Sequence, residues 1–206
     1  MTNPTSSKIV VLASSNKGKL RELQQILGDS VQVVSAAELD VTMPEETETT
    51  FAGNAALKSR AAFEQTGHIS LADDSGLEVD ALGGRPGVYS ARFAGEDASD
   101  EQNNEKLLAE LKSVPEAKRT ARFRSAIAIS FDNGEATIFE GACEGSVGFE
   151  PIGNNGFGYD PLFRLPDGRS FGEITSAEKN PISHRGLAMA KAMPFLIRIL
   201  SKDGPV

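Results

Sequence analysis

The chain has 206 residues, 39% of them hydrophobic, and a formal net charge of −8, which indicates a globular protein with a real core. The negative charge argues against a nucleic-acid partner, while a small anionic substrate stays possible. No stretch approaches the ~20 apolar residues of a membrane span, and the N-terminal segment "MTNPTSSK" lacks the charged-then-apolar order of a signal peptide.

The first part of the chain predicts alternating strands and helices. Residues 8–13, "KIVVLA", are typical of a buried strand, and residues 16–27 of a helix with one apolar face. A second short strand is predicted at 31–35. After an acidic loop, a helix is expected from Thr50 to Thr66, with Gly67 placed to end it.

The middle of the chain predicts two short strands and a helix. The strand-like runs are residues 69–72 and 77–82, and the letters "DDSG" separate them. An amphipathic helix is expected over residues 99–113, where Ser99 and Gln102 form a possible capping box.

The last part predicts a long hairpin and a closing helix. Period-two alternation runs from Thr120 to Val147 around a turn signal, "DNGE". The final helix is expected from Ser183 to about Leu200, and Pro194 should kink or split it. The order of elements predicts an α/β chain with a mixed sheet. We expect a single domain over residues 1–206, since no repeat or linker is visible.

Cys143 is the only cysteine in the chain. This excludes an internal disulfide and a multi-cysteine metal site, and it fits a reducing cytoplasm. Because its neighbours "EGACEGS" are strand-like, we expect a small buried residue here and not a nucleophile.

The first candidate site is the polar segment "SSNKGK" between the first strand and the first helix. A helix N-terminus has unpaired N–H groups and a partial positive charge, and lysines add full charges. A small, flexible loop also lets the backbone approach an anion closely, which suits phosphate. The Walker A pattern is absent, and an ordinary surface turn is the alternative.

The second candidate site combines an acidic loop with the helix that follows it. In "PEETETTF", Glu46 is either part of a solvated lead-in to the helix or a ligand for a hard metal ion. Asn54 and Lys58 are four residues apart and share a helix face. That face is either the wall of a cleft or a place where the lysine extends into water.

The adjacent aspartates of "ADDSGLEVD" are the third candidate. Asp and Gly are depleted in strands, so a functional site is plausible, and an Asx turn is the alternative. Successive side chains of a strand point to opposite faces. We therefore expect Asp73 and Asp74 to differ in role, one facing a cleft and one holding the loop. A carboxylate here can bind magnesium or accept a proton from water.

Two further candidates lie near the end of the chain. The glycine-rich stretch "NNGFGYDP" offers a ring on which a base could stack, or is simply a bend with a core phenylalanine. In "EKNPISHR", Lys179, His184 and Arg185 surround Ser183, the expected helix N-cap. Cations are unfavourable at a helix N-terminus, so this cluster suggests a bound anion or a carbonyl-rich ligand.

Together these segments resemble the inosine/xanthosine triphosphate pyrophosphatase family, which removes deaminated purine nucleotides. The resemblance rests on "SSNKGKLREL", "EETETTFAGNAALK", "ADDSGLEVDALGGRPGVYSARFAG", "GFGYDPLF" and "SHRGLA", spread from residue 12 to 188 in the family's order. It implies an elongated α/β fold with a long mixed sheet, two lobes and a cleft between them. It also implies a homodimer.

The resemblance also implies roles for individual residues. Glu46 and Asp74 would bind magnesium, and Asp74 would also be the base that activates water. The substrate-binding residues would be Ser14, Ser15, Asn16, Lys17, Gly18, Lys19, Ser75, Phe157, Gly158, Tyr159, Asp160, Lys179, His184 and Arg185. From the helix face and the strand end described above, we also expect Asn54, Lys58 and Asp73 to support them. The Ser14-Ser15 pair departs from the Thr-Gly that is common in the family, yet it keeps a hydroxyl.

The expected reaction converts a purine nucleoside triphosphate and water into a monophosphate and pyrophosphate, by attack on the α-phosphorus. A donor such as Arg185 or a backbone N–H would accept the 6-oxo group of hypoxanthine or xanthine and reject the 6-amino group of adenine. Maf-type nucleotide pyrophosphatases are a second enzyme hypothesis. A nucleotide sensor without catalysis is the alternative outside enzymes, although Glu46, Asp73 and Asp74 are all present.

Overall fold

The computed structural model describes residues 9–28 and 31–201, which form a six-stranded mixed sheet flanked by helices. The strands are β1 (Ile9–Leu12), β2 (Gln32–Ser35), β3 (Ile69–Val79), β4 (Thr120–Ser130), β5 (Ala136–Val147) and β6 (Phe163–Arg164). The helices are α1 (Lys17–Leu27), α2 (Phe51–Thr66), α3 (Asp100–Glu110), α4 (Ser176–Lys179) and α5 (His184–Ser201). Lys8, predicted to begin the first strand, lies outside the described residues with the rest of "MTNPTSSK".

The strand order is β2-β1-β3-β4-β5-β6, with β1 parallel to both β2 and β3 and the other pairs antiparallel. The pairing of β1 with β3 ends at Leu12 opposite Leu71, whereas β3 continues to Val79. Residues 73–76 of β3 consequently have β4 on one side and no β1 partner on the other. Side chains from both faces of this part of β3 can therefore reach the same opening, which lies beside the end of β1.

The two faces of the sheet are covered by different helices. Leu12, Leu71 and Ile127 pack in a cluster with residues of α1 and α5, and Ala126 packs with Phe51 of α2 on the opposite face. The far ends of β3, β4 and β5 form a separate core with α3 and β6. The core thus divides into two lobes, as the resemblance implied.

The prediction of two strands at 69–72 and 77–82 is wrong, because one strand runs through the "DDSG" segment. The ladder with β4 is continuous here, with Asp74 opposite Ala126 and Ser75 opposite Ser125. Asp73 is buried in this strand because cations and hydroxyls from distant segments surround its carboxylate. Tertiary pairing therefore overrides the low strand propensity of Asp and Gly.

The closing helix continues through Pro194, so of the two expected effects of this proline, a kink or a split, the split is wrong. Ala192 and Leu196, on either side of the proline, are both fully buried in the same cluster. Packing of this continuous apolar face keeps the two halves of the helix together.

Most predicted element ends are confirmed. Asn16 and Thr50 are N-caps, and Gly67 ends α2 in the left-handed region at φ 67°. The Ser99–Gln102 capping box is present, although α3 ends at Glu110 instead of residue 113. The Oγ of Ser183 accepts a hydrogen bond from the N–H of Gly186 at the start of α5, as expected for a cap.

Two further expectations can be compared with the structure. Cys143 is buried, as predicted, and burial raises the pKa of its thiol to about 11. Within residues 9–28 and 31–201, none of the helices combines the length and apolar character needed to cross a bilayer.

Candidate active site

A cleft of about 510 Å³ opens beside the end of β1, between the two lobes. It is lined by most of the predicted site residues: Ser14, Ser15, Asn16, Lys19, Glu46, Lys58, Asp74, Ser75, Phe157, Gly158, Tyr159, Asp160, Lys179, His184 and Arg185. Lys17, Gly18, Asn54 and Asp73 were also predicted and lie outside this lining. The fold thus gathers segments that are far apart in the sequence.

Asp73 is a fully buried carboxylate held among cations and hydroxyls. It accepts hydrogen bonds from Arg185 Nη2 at 2.9 Å and Ser125 Oγ at 2.5 Å, and Lys19 Nζ lies 3.3 Å away. Burial alone would raise the pKa of Asp73, but Arg185 and Lys19 outweigh it and hold this pKa far below its ordinary value. Asp73 is therefore a fixed anion, suited to holding cleft cations in place and not to transferring protons.

Asp74 points to the other face of β3, toward α2. Lys58 Nζ donates to its Oδ1 at 2.8 Å, and Asn54 Nδ2 approaches its Oδ2 at 3.4 Å. The predicted shared face of Asn54 and Lys58 is confirmed, since both reach one carboxylate. Burial raises the pKa of Asp74 above its ordinary value in spite of nearby Lys19 and Lys58. A cleft carboxylate with a raised pKa is well suited to accept a proton from water.

Lys58 bridges two carboxylates from different segments. Its Nζ donates to Glu46 Oε1 at 2.7 Å and to Asp74 Oδ1 at 2.8 Å. Burial alone would lower the pKa of Lys58, but these two carboxylates raise it above its ordinary value. The second oxygen of each carboxylate has only a long contact, 3.5 Å from Arg92 Nη1 to Glu46 and 3.4 Å from Asn54 Nδ2 to Asp74.

This donor set fits magnesium. Magnesium is commonly held by one or two carboxylates together with substrate phosphates and water, so a cage of protein ligands is not required. Glu46 and Asp74 each keep an oxygen that Lys58 does not occupy. Within the part of the chain that the structure describes, no group of three or more His, Cys, Asp or Glu is placed to hold a metal ion.

The "SSNKGK" segment forms the N-terminal turn of α1. Asn16 Oδ1 accepts from the N–H of Lys19 at 3.0 Å, and the N–H of Asn16 donates to Ser14 Oγ at 3.1 Å. The ammonium of Lys19 faces the cleft near Asp73, and burial lowers the pKa of Lys19. Lys17 is exposed on the outer side. One lysine of the pair, Lys19, therefore lines the cleft, and Lys17 does not.

The aromatic loop at 157–160 is fixed by contacts to both its backbone and its side chains. The N–H of Gly158 donates to Asp100 Oδ2 at 2.7 Å, and its carbonyl accepts from Asn104 Nδ2 at 2.9 Å. The buried Tyr159 donates its hydroxyl to the carbonyl of Ser90 at 2.9 Å. The loop is consequently held by α3 and by the segment before it.

Asp160 closes this loop on itself. Its Oδ2 accepts from the N–H of Phe157 at 2.9 Å and from Lys179 Nζ at 2.6 Å. Burial raises the pKa of Asp160, and Lys179 only partly offsets that effect. Asp160 therefore fixes the backbone of Phe157, whose side chain is half-buried at the cleft.

His184 and Arg185 begin α5 and differ in what they can offer a ligand. The imidazole of His184 stacks on Phe123, with ring centroids 4.7 Å apart, and its buried Nδ1 has no hydrogen-bond partner. Burial lowers the pKa of His184 well below its ordinary value, so the ring is neutral. The guanidinium of Arg185 donates to Asp73, Ser75 and Glu22, which fixes its plane.

Glu22 was missed in the sequence and lies at the centre of this charge network. It is 7% exposed, accepts from Lys179 Nζ at 2.8 Å, and accepts a hydrogen bond from Arg185 Nη1. In "NKGKLREL" it has the appearance of an ordinary surface charge on a helix. Its position beside Leu23, on the buried side of α1, was the one signal available.

Among the other residues that were missed, Arg92 and Asp100 line the cleft, and Asn104 lies behind it as a partner of Gly158. Arg92 approaches Glu46 from the "YSAR" segment, at 3.5 Å. Asp100 and Asn104, on one face of α3, form hydrogen bonds with the backbone of Gly158. Their spacing of four residues on a predicted helix could be seen in the sequence. Their shared partner, Gly158, could not, because it lies 54 or more residues away.

Glu22 should make stability depend on pH in the acid range. Burial alone would raise the pKa of Glu22, but Arg185 and Lys179 hold it below its ordinary value. The unfolded chain therefore binds the proton first, near pH ~4.3. We expect the stabilisation by Glu22 to be fully present above that pH. Below it, the free energy of unfolding should fall as pH decreases, by up to ~1.4 kcal/mol per pH unit for this group.

Urea unfolding of the wild type and of Glu22→Gln between pH 3 and 6 measures this contribution. The variant should be less stable at pH 6 and show a shallower dependence on pH. Glu144→Gln, which removes an exposed partner of Arg122, is the control and should follow the wild type. Equal slopes for the wild type and Glu22→Gln would contradict the assignment.

Comparison with known proteins agrees with this geometry. The family model described as the Ham1 family matches residues 10–195. The chain is 54% identical over 193 residues to a dITP/XTP pyrophosphatase of Desulforamulus reducens, covering 92% of this chain and 96% of that protein. For the dITP/XTP pyrophosphatase of Exiguobacterium sibiricum, the identity is 49% over 197 residues, with 94% and 99% covered.

Solved structures match the fold as well. A HAM1 protein from Coxiella burnetii superposes with a TM-score of 0.84 at 41% identity, covering 93% of this chain and 99% of that one. The Ham1 protein of Staphylococcus aureus gives a TM-score of 0.82 at 41% identity, with 93% and 100% covered. By sequence over most of its length and by fold, the chain belongs to the Ham1 family.

Proposed function

We propose that this chain hydrolyses non-standard purine nucleoside triphosphates, dITP, XTP and ITP, to the nucleoside monophosphate and pyrophosphate. One observation carries the proposal. A single cleft contains a cationic helix N-terminus, a buried carboxylate with a raised pKa, and an aromatic ring backed by cations. These are the parts needed for a triphosphate, an activated water and a base. The names of the relatives support the same activity.

At the phosphate end, the first turn of α1 and Lys19 bind and orient the triphosphate. The unpaired N–H groups and the partial positive charge of the helix N-terminus favour an anion there. Lys19 is already close to Asp73, so its ammonium is held in place before a substrate arrives. This pre-organisation stabilises charge on the phosphates without reorganisation during the reaction.

At the reacting centre, Asp74 takes a proton from water as the water oxygen bonds to the α-phosphorus. The bond between that phosphorus and the oxygen bridging to the β-phosphorus breaks, and pyrophosphate leaves. We propose that Glu46 and Asp74 hold magnesium with the oxygens that Lys58 does not occupy. When bound, magnesium supplies charge neutralisation on the triphosphate.

At the base end, Phe157 stacks on the purine, and His184 and Arg185 face its edge. The Nδ1 of the neutral His184, in the tautomer that carries its hydrogen there, and the remaining hydrogen on Arg185 Nη1 can donate to the 6-oxo oxygen. A 6-amino group would leave a buried polar group unpaired, at a cost of ~1–3 kcal/mol.

The proposal extends to the cellular setting. A cytoplasmic location suits an enzyme of the nucleotide pool and a single buried thiol. The resemblance to the pyrophosphatase family supports a homodimer.

Pyrophosphate release from dITP, XTP, ITP, GTP and ATP tests the activity, with magnesium and with EDTA. We expect kcat/KM for the three non-standard purines to exceed that for ATP by ~10-fold or more, because the 6-amino group of adenine mismatches one polar group at a cost of ~1–3 kcal/mol. GTP keeps the 6-oxo group, so a lower rate on GTP would report its 2-amino group. We also expect EDTA to abolish release. Equal rates on all five substrates would contradict the substrate proposal, and full activity in EDTA would contradict the magnesium proposal.

A further inference from the structure

Gly18 lies in the first turn of α1, and its backbone does not require glycine. Its φ is not positive, and it lies within the regular helix α1. Glycine within a helix is less favourable than alanine because it loses more backbone entropy. A different requirement must therefore explain the missing side chain at this position.

The space beside Gly18 is filled by the ring of Phe157. A Cβ added to Gly18 would lie 2.7 Å from Cδ1, 2.9 Å from Cγ and 3.0 Å from Cε1 of that ring. Real Cβ contacts are essentially never this short. Even alanine would therefore force the ring to move. The ring thus packs directly against the N-terminal turn of α1.

Phe157 has little freedom to adjust to such a change. Its N–H is bound to Asp160, and both polar groups of the next residue, Gly158, are bound to α3. Lys179 Nζ lies 5.3 Å from the ring centroid and Arg185 Cζ lies 5.8 Å from it. With the backbone fixed, a push from residue 18 would be absorbed by rotation of the ring itself.

We propose that Gly18 is a positioning residue for base recognition: its missing side chain makes room for the Phe157 ring, whereas its backbone N–H, which alanine would keep, stays part of the phosphate-binding turn. The position of the Phe157 ring then depends on the first turn of α1, which also binds phosphate in the proposed function. This inference rests on the proposed function and adds to it the residue that sets the position of the stacking surface.

Gly18→Ala tests this because its effect on binding of the base can be measured separately from its effect on binding of the phosphates. We expect KM for dITP to rise ~10-fold, since base–aromatic stacking is worth about one such factor, and kcat to change less than ~3-fold. Inorganic triphosphate, which has no base, should inhibit the variant and the wild type with Ki values within ~2-fold. In a Phe157→Ala background, adding Gly18→Ala should change KM less than ~2-fold, because there is no ring to displace.

A rise in the Ki of inorganic triphosphate that matches the rise in KM would overturn the proposal, since Gly18 would then act on phosphate. An equal effect of Gly18→Ala with and without the Phe157 ring would overturn it too. Gln24→Ala, on an exposed part of α1, is the control and should leave both constants unchanged.

Thermal unfolding without ligand tests the contact independently of activity. Gly18→Ala should lower Tm in the wild type and raise Tm in the Phe157→Ala background, where only helix propensity acts. A raised Tm in both backgrounds would show that the ring does not press on residue 18, and would overturn the inference. Failure of the wild type to hydrolyse dITP would instead contradict the proposed function, and the Tm comparison would still test the contact.

Discussion

Asp74→Asn should lower kcat by ~10³-fold or more while the protein stays folded, since a positioned general base contributes ~10²–10⁴-fold. The amide keeps the size of the side chain but cannot accept the proton from water. The fold should tolerate the change because Lys58 keeps a second carboxylate partner, Glu46, at 2.7 Å. Single-turnover pyrophosphate release measures the loss, and circular dichroism checks the fold.

Two comparisons make this result specific. Asp167→Asn removes an exposed carboxylate paired with Arg169 and should leave kcat unchanged. Raising the magnesium concentration should not restore Asp74→Asn, because the missing proton acceptor is not replaced by metal. Near-wild-type kcat in Asp74→Asn would reassign the base, and recovery at high magnesium would limit Asp74 to metal binding.

The second large effect is on stability: Arg185→Met should lower the free energy of unfolding by ~3–5 kcal/mol. Arg185 is 1% exposed and is shared by the buried carboxylates of Asp73 and Glu22. Methionine fills much of the space, yet it leaves both carboxylates with fewer cationic partners in a low-dielectric site. Losing one partner of a buried ion pair costs far more than losing an exposed one.

Urea unfolding at pH 7 measures this difference against a matched arginine. Arg122→Met removes a guanidinium that also contacts several carboxylates, but at the surface, with 28% of its side chain exposed. It should cost ~0–1 kcal/mol. Arg185→Lys, which restores a positive charge without the forked geometry, should fall between the wild type and Arg185→Met. A similar loss for Arg185→Met and Arg122→Met would contradict the role of Arg185 as the buried counter-charge.

Local chemistry was sufficient to predict much of the fold. The helix starts near Asn16 and Thr50, the capping box at Ser99 and the stop at Gly67 depend on neighbouring residues, and all four are confirmed. The continuity of β3 could not be predicted in this way. The carboxylate of Asp73 is neutralised by Arg185, which is 112 residues away in sequence, and propensity has no access to such a partner.

The candidate site shows the same division. Asp73 and Asp74 were expected to point to opposite faces because strands alternate, and their different partners confirm it. Glu22 was missed because its burial depends on Arg185 and Lys179 at the other end of the chain. Long-range ion pairs thus decide which charged residues are internal, and no local pattern distinguishes them from surface charges.

The buried Cys143 has a practical consequence for experiments on this protein. It is the only thiol of the chain, and its pKa of about 11 leaves very little thiolate to react with maleimides at neutral pH. A cysteine introduced at an exposed position such as Gln24 would therefore be the one group that a fluorescent dye labels. Nucleotide binding could then be followed by fluorescence in the native sequence background, without first replacing the natural cysteine.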